Sequence, residues 1–291
     1  MRTKIKTAII PIAGMGTRFL PLSKVLPKEL FPLADKPILQ YIIEEAVDSG
    51  IEKIVFVVKP GHTKTLDYFK KEKSPKQSLK GKENVLREVK KLNNILERVS
   101  FSFVYQKHPL GDGHAVLMAE KEVKNKPCAV LFCDDVIESK TPCLSQLIKV
   151  YLKYKNPVLA LYKVPNERIP SYGIVKAKKG KGNAYQIKEI KEKPKINAAP
   201  SNLAIVGKYI ITPKVFDFLK KSFLAKGEVR LSGAFDQMIK KGYRIDGCKI
   251  KGKWLECGDK ISYLKSNFYL SLKHPNFGKE LGKFLKKGPR W

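Results

Sequence analysis

Acidic residues are scarce in this chain: Asp and Glu number 27 against 58 Lys and Arg, a formal charge of +31 over 291 residues. Such a surplus suits either an anionic partner or a Lys-rich solvated surface. The basic residues are spread along the whole chain and are mostly Lys. No RNP-like signature, zinc-finger spacing or Arg-rich arm is present. Scattered Lys makes a poor specific footprint, so a solvated surface is the reading adopted and no specific nucleic-acid partner is expected. Cysteine is also sparse. The five, Cys128, Cys133, Cys143, Cys248 and Cys257, are odd in number, contain no CxxC pair and sit mostly in apolar runs. That argues against a metal cluster and for reduced, buried thiols in a cytoplasmic protein. Only four histidines occur, and no Ser-His-Asp or Cys-His arrangement is evident. No apolar run approaches ~18 residues, which excludes a membrane span. The basic Met1–Lys6 stretch leads into a short apolar run containing Pro11, which reads as a first strand and not a signal peptide.

What is present is enough apolar material for a real core, 43% of the residues, in a chain long enough for one large α/β domain. The run from Thr7 to Ala13 is nearly continuous and apolar, as in a strand buried on both faces. A glycine-bearing loop follows. Pro37 then opens a helix with apolar positions at Ile38, Leu39, Ile42, Ile43, Ala46 and Val47, and Gly50 lies just past its end. Ile51–Val58 reads as a second buried strand. The alternation continues with a helix over Val85–Val99 and a strand over Phe101–Tyr105. A helix over His114–Val123 and a strand over Cys128–Cys133 come next, then a helix over Leu144–Tyr154 and a strand over Val158–Tyr162. Repeated β-α alternation predicts a Rossmann-like, mostly parallel mixed sheet covered by helices. Ligands of such sheets bind outside the carboxyl ends of the strands. From about residue 165 the pattern changes. Tyr172–Lys178 and Ala184–Ile190 flank a Gly-Lys-Gly turn and predict an antiparallel hairpin. Further strands are expected over Leu203–Ile211 and Tyr243–Ile250, helices over Lys214–Phe223 and Ala234–Lys241, and a helical C-terminus. Lys70–Lys82 reads as an exposed, biased loop.

The candidate chemistry starts with Ala13-Gly14-Met15-Gly16-Thr17-Arg18, followed by Pro21, Lys24 and Pro27-Lys28-Glu29. Glycines directly after a strand let backbone N–H groups approach phosphate closely, and Arg18 and Lys28 add charge where a polyphosphate would lie. The loop is neither a Walker A, lacking GK[ST], nor a dinucleotide fingerprint, lacking the third glycine. Asp134 and Asp135 stand where a parallel strand ends. Hard cations such as Mg²⁺ need carboxylate oxygens, which singles out Asp134. Its neighbour Asp135 should point elsewhere and act structurally.

The string Gly-x-Gly-Thr-Arg…Pro…Pro-Lys-Glu resembles the signature of the sugar-phosphate nucleotidyltransferases, and within that superfamily the bacterial UTP–glucose-1-phosphate uridylyltransferases. The similarity continues in Asp35-Lys36-Pro37, Gly111-x-Gly113-His114-Ala115, Tyr172-Gly173, Glu192-Lys193-Pro194 and Ala199–Ile205. It covers essentially the whole chain in order. The resemblance implies a Mg²⁺-dependent, cytoplasmic enzyme of carbohydrate metabolism. Its partners would be UTP, glucose 1-phosphate, UDP-glucose and pyrophosphate, and it would assemble as a homodimer or homotetramer. It further implies a nucleotide-binding part over about 1–165, a sugar-phosphate part over about 166–260 and C-terminal helices over about 261–291. Ala13, Gly14, Gly16, Thr17 and Arg18 would wrap the triphosphate, Lys28 would touch phosphates at the reacting centre, and Gln106 and Gly111 would meet the uracil edge, with His114 beside the nucleotide. Tyr172, Gly173, Glu192, Lys193 and Asn202 would hold the sugar phosphate. Asp134 and the carboxylate before the late Cys-Gly would bind Mg²⁺. That carboxylate is usually Asp; here it is Glu256, one methylene longer, with Asp259 as the substitute candidate. Where relatives carry Thr-Asp-Ala, this chain has Ser232-Gly233-Ala234, expected to affect a helix start or subunit contact. Three alternatives stay open: the same chemistry with dTTP or CTP, a catalytically weak regulatory paralogue, and a nucleic-acid-binding role.

Overall fold

The structure, a computed structural model, describes residues 5–61, 63–69, 83–225 and 227–287. The biased 70–82 stretch and His62 lie outside them. Strand β1 (Thr7–Pro11) is the middle of the first layer. Its Ala8 and Ile10 enter one apolar cluster and Ile9 the other. Strand neighbours point to opposite faces, so an unbroken apolar run signals burial on both. After β1 the chain makes three 3₁₀ turns and a small ladder of β2 (Pro32–Leu33) with β3 (Lys36–Pro37) before helix α1 (Ile38–Asp48). Pro37 stands at the helix N-cap, one residue outside the first turn where it was expected. Strand β4 (Lys53–Val58) repeats the two-face pattern, with Ile54, Phe56 and Val58 on one side and Val55 and Val57 on the other.

Helices α2 (Thr63–Tyr68) and α3 (Glu83–Glu97) lead to β5 (Ser100–Tyr105). The single helix expected over His114–Val123 divides at Ala119 into α4 (Asp112–Met118) and α5 (Glu120–Val123). Strand β6 (Cys128–Leu131) follows, then β7 (Asp135–Glu138), α6 (Cys143–Tyr154) and β8 (Val158–Lys163). The expected hairpin is β9 (Gly173–Lys179) and β10 (Ala184–Glu192), followed by β11 (Leu203–Ile211). Helices α7 (Pro213–Leu224) and α8 (Leu231–Lys240) precede β12 (Ile245–Lys249) and β13 (Lys253–Glu256). Helices α9 (Lys260–Lys273) and α10 (Gly278–Lys287) end the described chain.

Among the described residues nine strands form one sheet in the order β5-β4-β1-β6-β11-β8-β12-β10-β9. The pairs β5–β4, β4–β1, β1–β6 and β8–β12 are parallel. Antiparallel pairing enters with β11, which lies between β6 and β8, and with the β9–β10 hairpin. The sheet is therefore mixed, parallel through its first four strands, with helices on both faces. A register shift between Ile187 and Glu189 marks a bulge in β10. Bulges bend a strand and increase its twist. Beyond this one, β9 also meets β11 through Ile174 and Ala204, which returns Gly173 and Glu192 to the edge where β6 ends. A second, two-stranded ladder of β7 with β13 was not expected from the sequence; it sets Asp135 opposite Glu256.

Candidate active site

The first functional loop leaves β1 and turns at Gly16, whose φ of 62° is left-handed and whose added Cβ would lie 3.1 Å from Ser23 Cβ. Only glycine takes that conformation without strain. The backbone amides of Gly14, Met15 and Gly16 donate to no other described group. Such free donors suit an anion. The loop's far end is fastened by Phe19, which packs edge-on against Phe31 at 5.0 Å and Tyr263 at 6.0 Å. Tyr263 belongs to α9 and donates to the Pro32 carbonyl at 2.6 Å. Lys260 reaches the Leu20 carbonyl at 3.2 Å, so α9 braces the N-terminal loop.

Asp134 lies three residues past β6 and is met by Lys28 at 2.6 Å. Burial pulls the Lys28 ammonium down, but the Asp134 charge more than offsets it and holds Lys28 above its usual range. The same pairing, with Arg18 nearby, outweighs burial at Asp134 and keeps its carboxyl below the ordinary value. Arg18 donates to the Gly258 carbonyl at 3.3 Å. A Cβ on Gly258 would stand 3.5 Å from an Asp134 oxygen, 3.6 Å from Arg18 and 3.8 Å from a Glu256 oxygen, so the two carboxylates and the guanidinium converge on one point.

Asp135 faces away. It accepts from the Gly207 amide at 2.9 Å and Trp254 Nε1 at 2.7 Å. Burial and the Asp134 charge push its carboxyl up to about 7. Glu256 receives the Tyr172 hydroxyl at 2.6 Å and pairs with Arg168. Arg168 was not singled out from the sequence; a lone arginine just ahead of Tyr172-Gly173 is the signal that could have found it. Asp259 caps α9, accepting from the Ser262 amide at 3.0 Å and hydroxyl at 2.7 Å. Its oxygens are thereby committed to the helix start.

Among the described residues no group of three or more His, Cys, Asp or Glu side chains is placed to hold a metal. Mg²⁺ is commonly held by one or two carboxylates plus substrate phosphates. Asp134 and Glu256, both oxygen donors turned toward Gly258, fit that requirement.

Gly173 lies opposite Glu192 across β9 and β10, and a Cβ there would come within 3.2 Å of a Glu192 oxygen. Lys193 adopts a φ of 44° while its amide binds the Tyr172 carbonyl at 3.0 Å. A long side chain in the left-handed region is uncommon and costs on the order of 1 kcal/mol or more. Asn202 sits just before β11, its carbonyl accepting from Val164. A cleft of about 330 Å³ is lined by Arg18, Asp134, Tyr172, Gly173, Glu192, Lys193, Glu256 and Gly258, together with Asp112, Arg230 and Ser232.

Gln106, Gly111 and His114 form a separate cluster. The Gln106 amide nitrogen lies 3.1 Å from the Gly111 carbonyl and 2.9 Å from His114 Nδ1. The carbonyl identifies that atom as the donor, so His114 Nδ1 accepts and its other nitrogen carries the proton. Burial, then His108, lowers the His114 pKa. Gly111 has φ 108°, and a Cβ there would lie 2.4 Å from the Val229 carbonyl oxygen. The 110–113 turn and the 229–231 segment are laced together: Val229 donates to Leu110, Gly113 to Val229, and the Leu231 amide to Asp112 at 3.0 Å. Asp112 thus caps α8, and Gly233 stands exposed in that helix's first turn with open space beside it. His108 is an exposed loop residue, while His274 at the end of α9 meets Asp35 at 2.8 Å.

The nucleotidyl transferase family profile matches residues 7–271. A UTP–glucose-1-phosphate uridylyltransferase from Staphylococcus epidermidis is 37% identical over 287 residues, covering 98% of both chains. A UTP-bound UGPase from Acinetobacter baumannii superposes with a TM-score of 0.88 at 32% identity, over 98% of this chain and 100% of that one. A UDP-glucose pyrophosphorylase complexed with UDP-glucose gives 0.83 at 34% identity, over 93% and 100%. With Arg18, the lysine-paired Asp134 and the Glu192-Lys193 turn opening on one cleft, the chain belongs to the nucleotidyl transferase family, among the UTP–glucose-1-phosphate uridylyltransferases.

Proposed function

We infer that the chain transfers the uridylyl group of UTP to α-D-glucose 1-phosphate, giving UDP-glucose and pyrophosphate. The observation that carries this reading is the single cleft onto which Arg18, Asp134, Glu192, Lys193 and Glu256 all open. Residues of about 1–165 take the nucleotide, those of about 166–260 the sugar phosphate, and the helices from about 261 brace the first loop. Free amides at Gly14 to Gly16, with Thr17 and Ala13 flanking them, cradle the triphosphate. Gln106, Gly111 and His114 stand on the uracil side. Tyr172, Gly173, Glu192, Lys193 and Asn202 serve the sugar phosphate.

A phosphate oxygen of glucose 1-phosphate attacks the α-phosphorus of UTP in line. The bond from that phosphorus to the bridging oxygen breaks, and pyrophosphate leaves with the electron pair. The nucleophile is already an anion and needs no general base. The difficulty is bringing two anions together, so catalysis is positioning and charge neutralisation. Lys193 holds the attacking phosphate; Glu192 accepts sugar hydroxyls. Arg18 and Lys28 neutralise charge on the departing pyrophosphate. The Lys28 ammonium, paired with Asp134 in the free protein, transfers to phosphate when UTP arrives and uncovers an Asp134 oxygen. Asp134 and Glu256 would hold Mg²⁺, which when bound draws negative charge from phosphate oxygens.

All five cysteines are free and buried, which favours a cytoplasmic setting. Among the described residues no helix is long and apolar enough to cross a membrane. Exposed Ile261, Leu264 and Phe268 on α9 fall at helical spacing and suit a subunit contact in a homodimer or homotetramer. Side-by-side turnover with UTP, dTTP and CTP, each with glucose 1-phosphate, tests the base assignment. UTP should be preferred by at least about tenfold; equal use of dTTP would reassign the uracil side.

A further inference from the structure

On the side of the sheet reached by the other end of the β7–β13 ladder lies a larger open groove of about 1340 Å³. Three chain segments wall it: the turn between β7 and α6, the turn of the β9–β10 hairpin, and the connection from β12 to β13. Seven lysines line it, and Glu138 is its one acidic residue. Glu138 is already neutralised by Lys273 and bonded to the Tyr269 hydroxyl at 2.7 Å. Lys253 is held 3.7 Å over the Tyr269 ring. Lys140, Lys149, Lys179, Lys249 and Lys251 are exposed, and none has a carboxylate partner among the described residues.

The chain segments that carry these cations are tied to one another. Gln146, 6% exposed, ties two of the walls together. Its amide nitrogen donates to the Thr141 carbonyl at 3.0 Å and the Lys251 carbonyl at 2.9 Å, and its oxygen accepts from the Lys251 amide at 2.8 Å. The Lys249 amide binds the Asn183 carbonyl at 2.8 Å, joining the hairpin turn to the same connection. Gly252, at φ 132°, sits where a Cβ would be 2.6 Å from the Glu138 carbonyl oxygen, so that connection is pressed flat on the end of β7. Like charges borne on tied segments around one opening repel each other, and an anion relieves that repulsion.

The chemistry of the lining narrows the anion. No arginine lines the groove, so it offers no planar fork for bidentate recognition; lysine acts as a point charge. Tyr185 is its one aromatic residue, which leaves no track on which successive bases could stack. The volume exceeds the roughly 300–1,000 Å³ of a typical metabolite pocket, and no enclosing apolar wall is present. We propose that this groove binds a linear inorganic polyphosphate chain, at a site separate from the catalytic cleft.

The test uses the full chain and an end-labelled inorganic polyphosphate of defined length, followed by fluorescence anisotropy at about 150 mM salt. The combined variant Lys140→Gln, Lys179→Gln, Lys251→Gln should bind about tenfold more weakly or worse, with the salt slope of binding reduced by roughly three. Turnover should be unchanged, since none of the three lines the cleft. A control variant with the same charge change at exposed Lys121, Lys126 and Lys283 should lose less than about twofold in affinity. Equal losses in the two variants would reduce the effect to global charge and overturn the site. Absence of binding by the unaltered chain would overturn it as well. Tighter binding of a charge-matched single-stranded RNA, lost in the same groove variant, would reassign the groove to nucleic acid and overturn polyphosphate.

Discussion

Lys28 and Asp134 stand 106 positions apart in sequence, yet each was legible beforehand, because each sits in a short string with its own chemical logic. Their 2.6 Å contact was not legible, since it depends on how the 3₁₀ turn of Lys28–Leu30 is laid against the end of β6. On the proposed mechanism, the contact makes Lys28 a charge already delivered beside Asp134. Lys28→Ala should retain the fold and lose about 10²–10³-fold in kcat with UTP and glucose 1-phosphate, the cost typical of one lost charge contact in such a site. Near-normal turnover would remove Lys28 from the mechanism. Arg168 escaped the sequence reading because its role exists only through Glu256, on whose carboxylate its guanidinium is seated. His114 gives a pH test. Burial lowers its pKa from an ordinary value of ~6.5. Just below that value the unfolded chain binds more protons than the folded one, so folding stability falls as pH falls. The melting temperature should therefore drop between about pH 7 and 5, and His114→Gln, which has nothing to protonate, should drop less steeply over that interval. Parallel curves would show that His114 does not titrate differently on folding.

At the level of elements, periodicity located most strands and helices because their apolar residues are dense and face the core. The β7–β13 ladder was missed. Each strand has only four residues, too few for alternation to stand out, and it is held by a long-range pairing with no local signal. That ladder carries Asp135 and Glu256 to the cleft, so the part of the site least legible in sequence is the part it builds. The lacing of the 110–113 turn to the 229–231 segment was equally hidden. It is held by close backbone approach at Gly111. Gly111→Ala would add strain at positive φ and a clash with the Val229 carbonyl. It should cost roughly 1–3 kcal/mol in urea unfolding and raise the KM for UTP more than that for glucose 1-phosphate, because the proposed function puts the displaced turn on the base side. An equal rise in both constants would contradict that placement.

For the whole molecule, β-α alternation correctly indicated parallel strands in the first half. The insertion of β11 between β6 and β8 could not be read, because strand order is set by tertiary packing and not by local pattern. At that junction Lys208, wholly buried on β11, pairs with Glu45 of α1 at 2.9 Å, and Glu45 also accepts the Leu144 amide at the start of α6. One buried pair thus joins sheet, α1 and α6. Lys208→Met leaves Glu45 buried without its cation and should cost about 3–5 kcal/mol in chemical unfolding; a loss below about 1 kcal/mol would mean the carboxylate finds water or another partner. The +31 charge is a property of the entire surface, and composition could not separate a solvated coat from a groove with fixed walls. Function rests on the assembled cleft. The most direct measurement is pyrophosphate release by the purified chain supplied with Mg²⁺, UTP and glucose 1-phosphate, each omitted in turn. Release that requires all three, with UDP-glucose as the co-product, is the expected result. No release from a folded chain that still binds UTP would contradict uridylyl transfer and leave a nucleotide-binding regulatory protein.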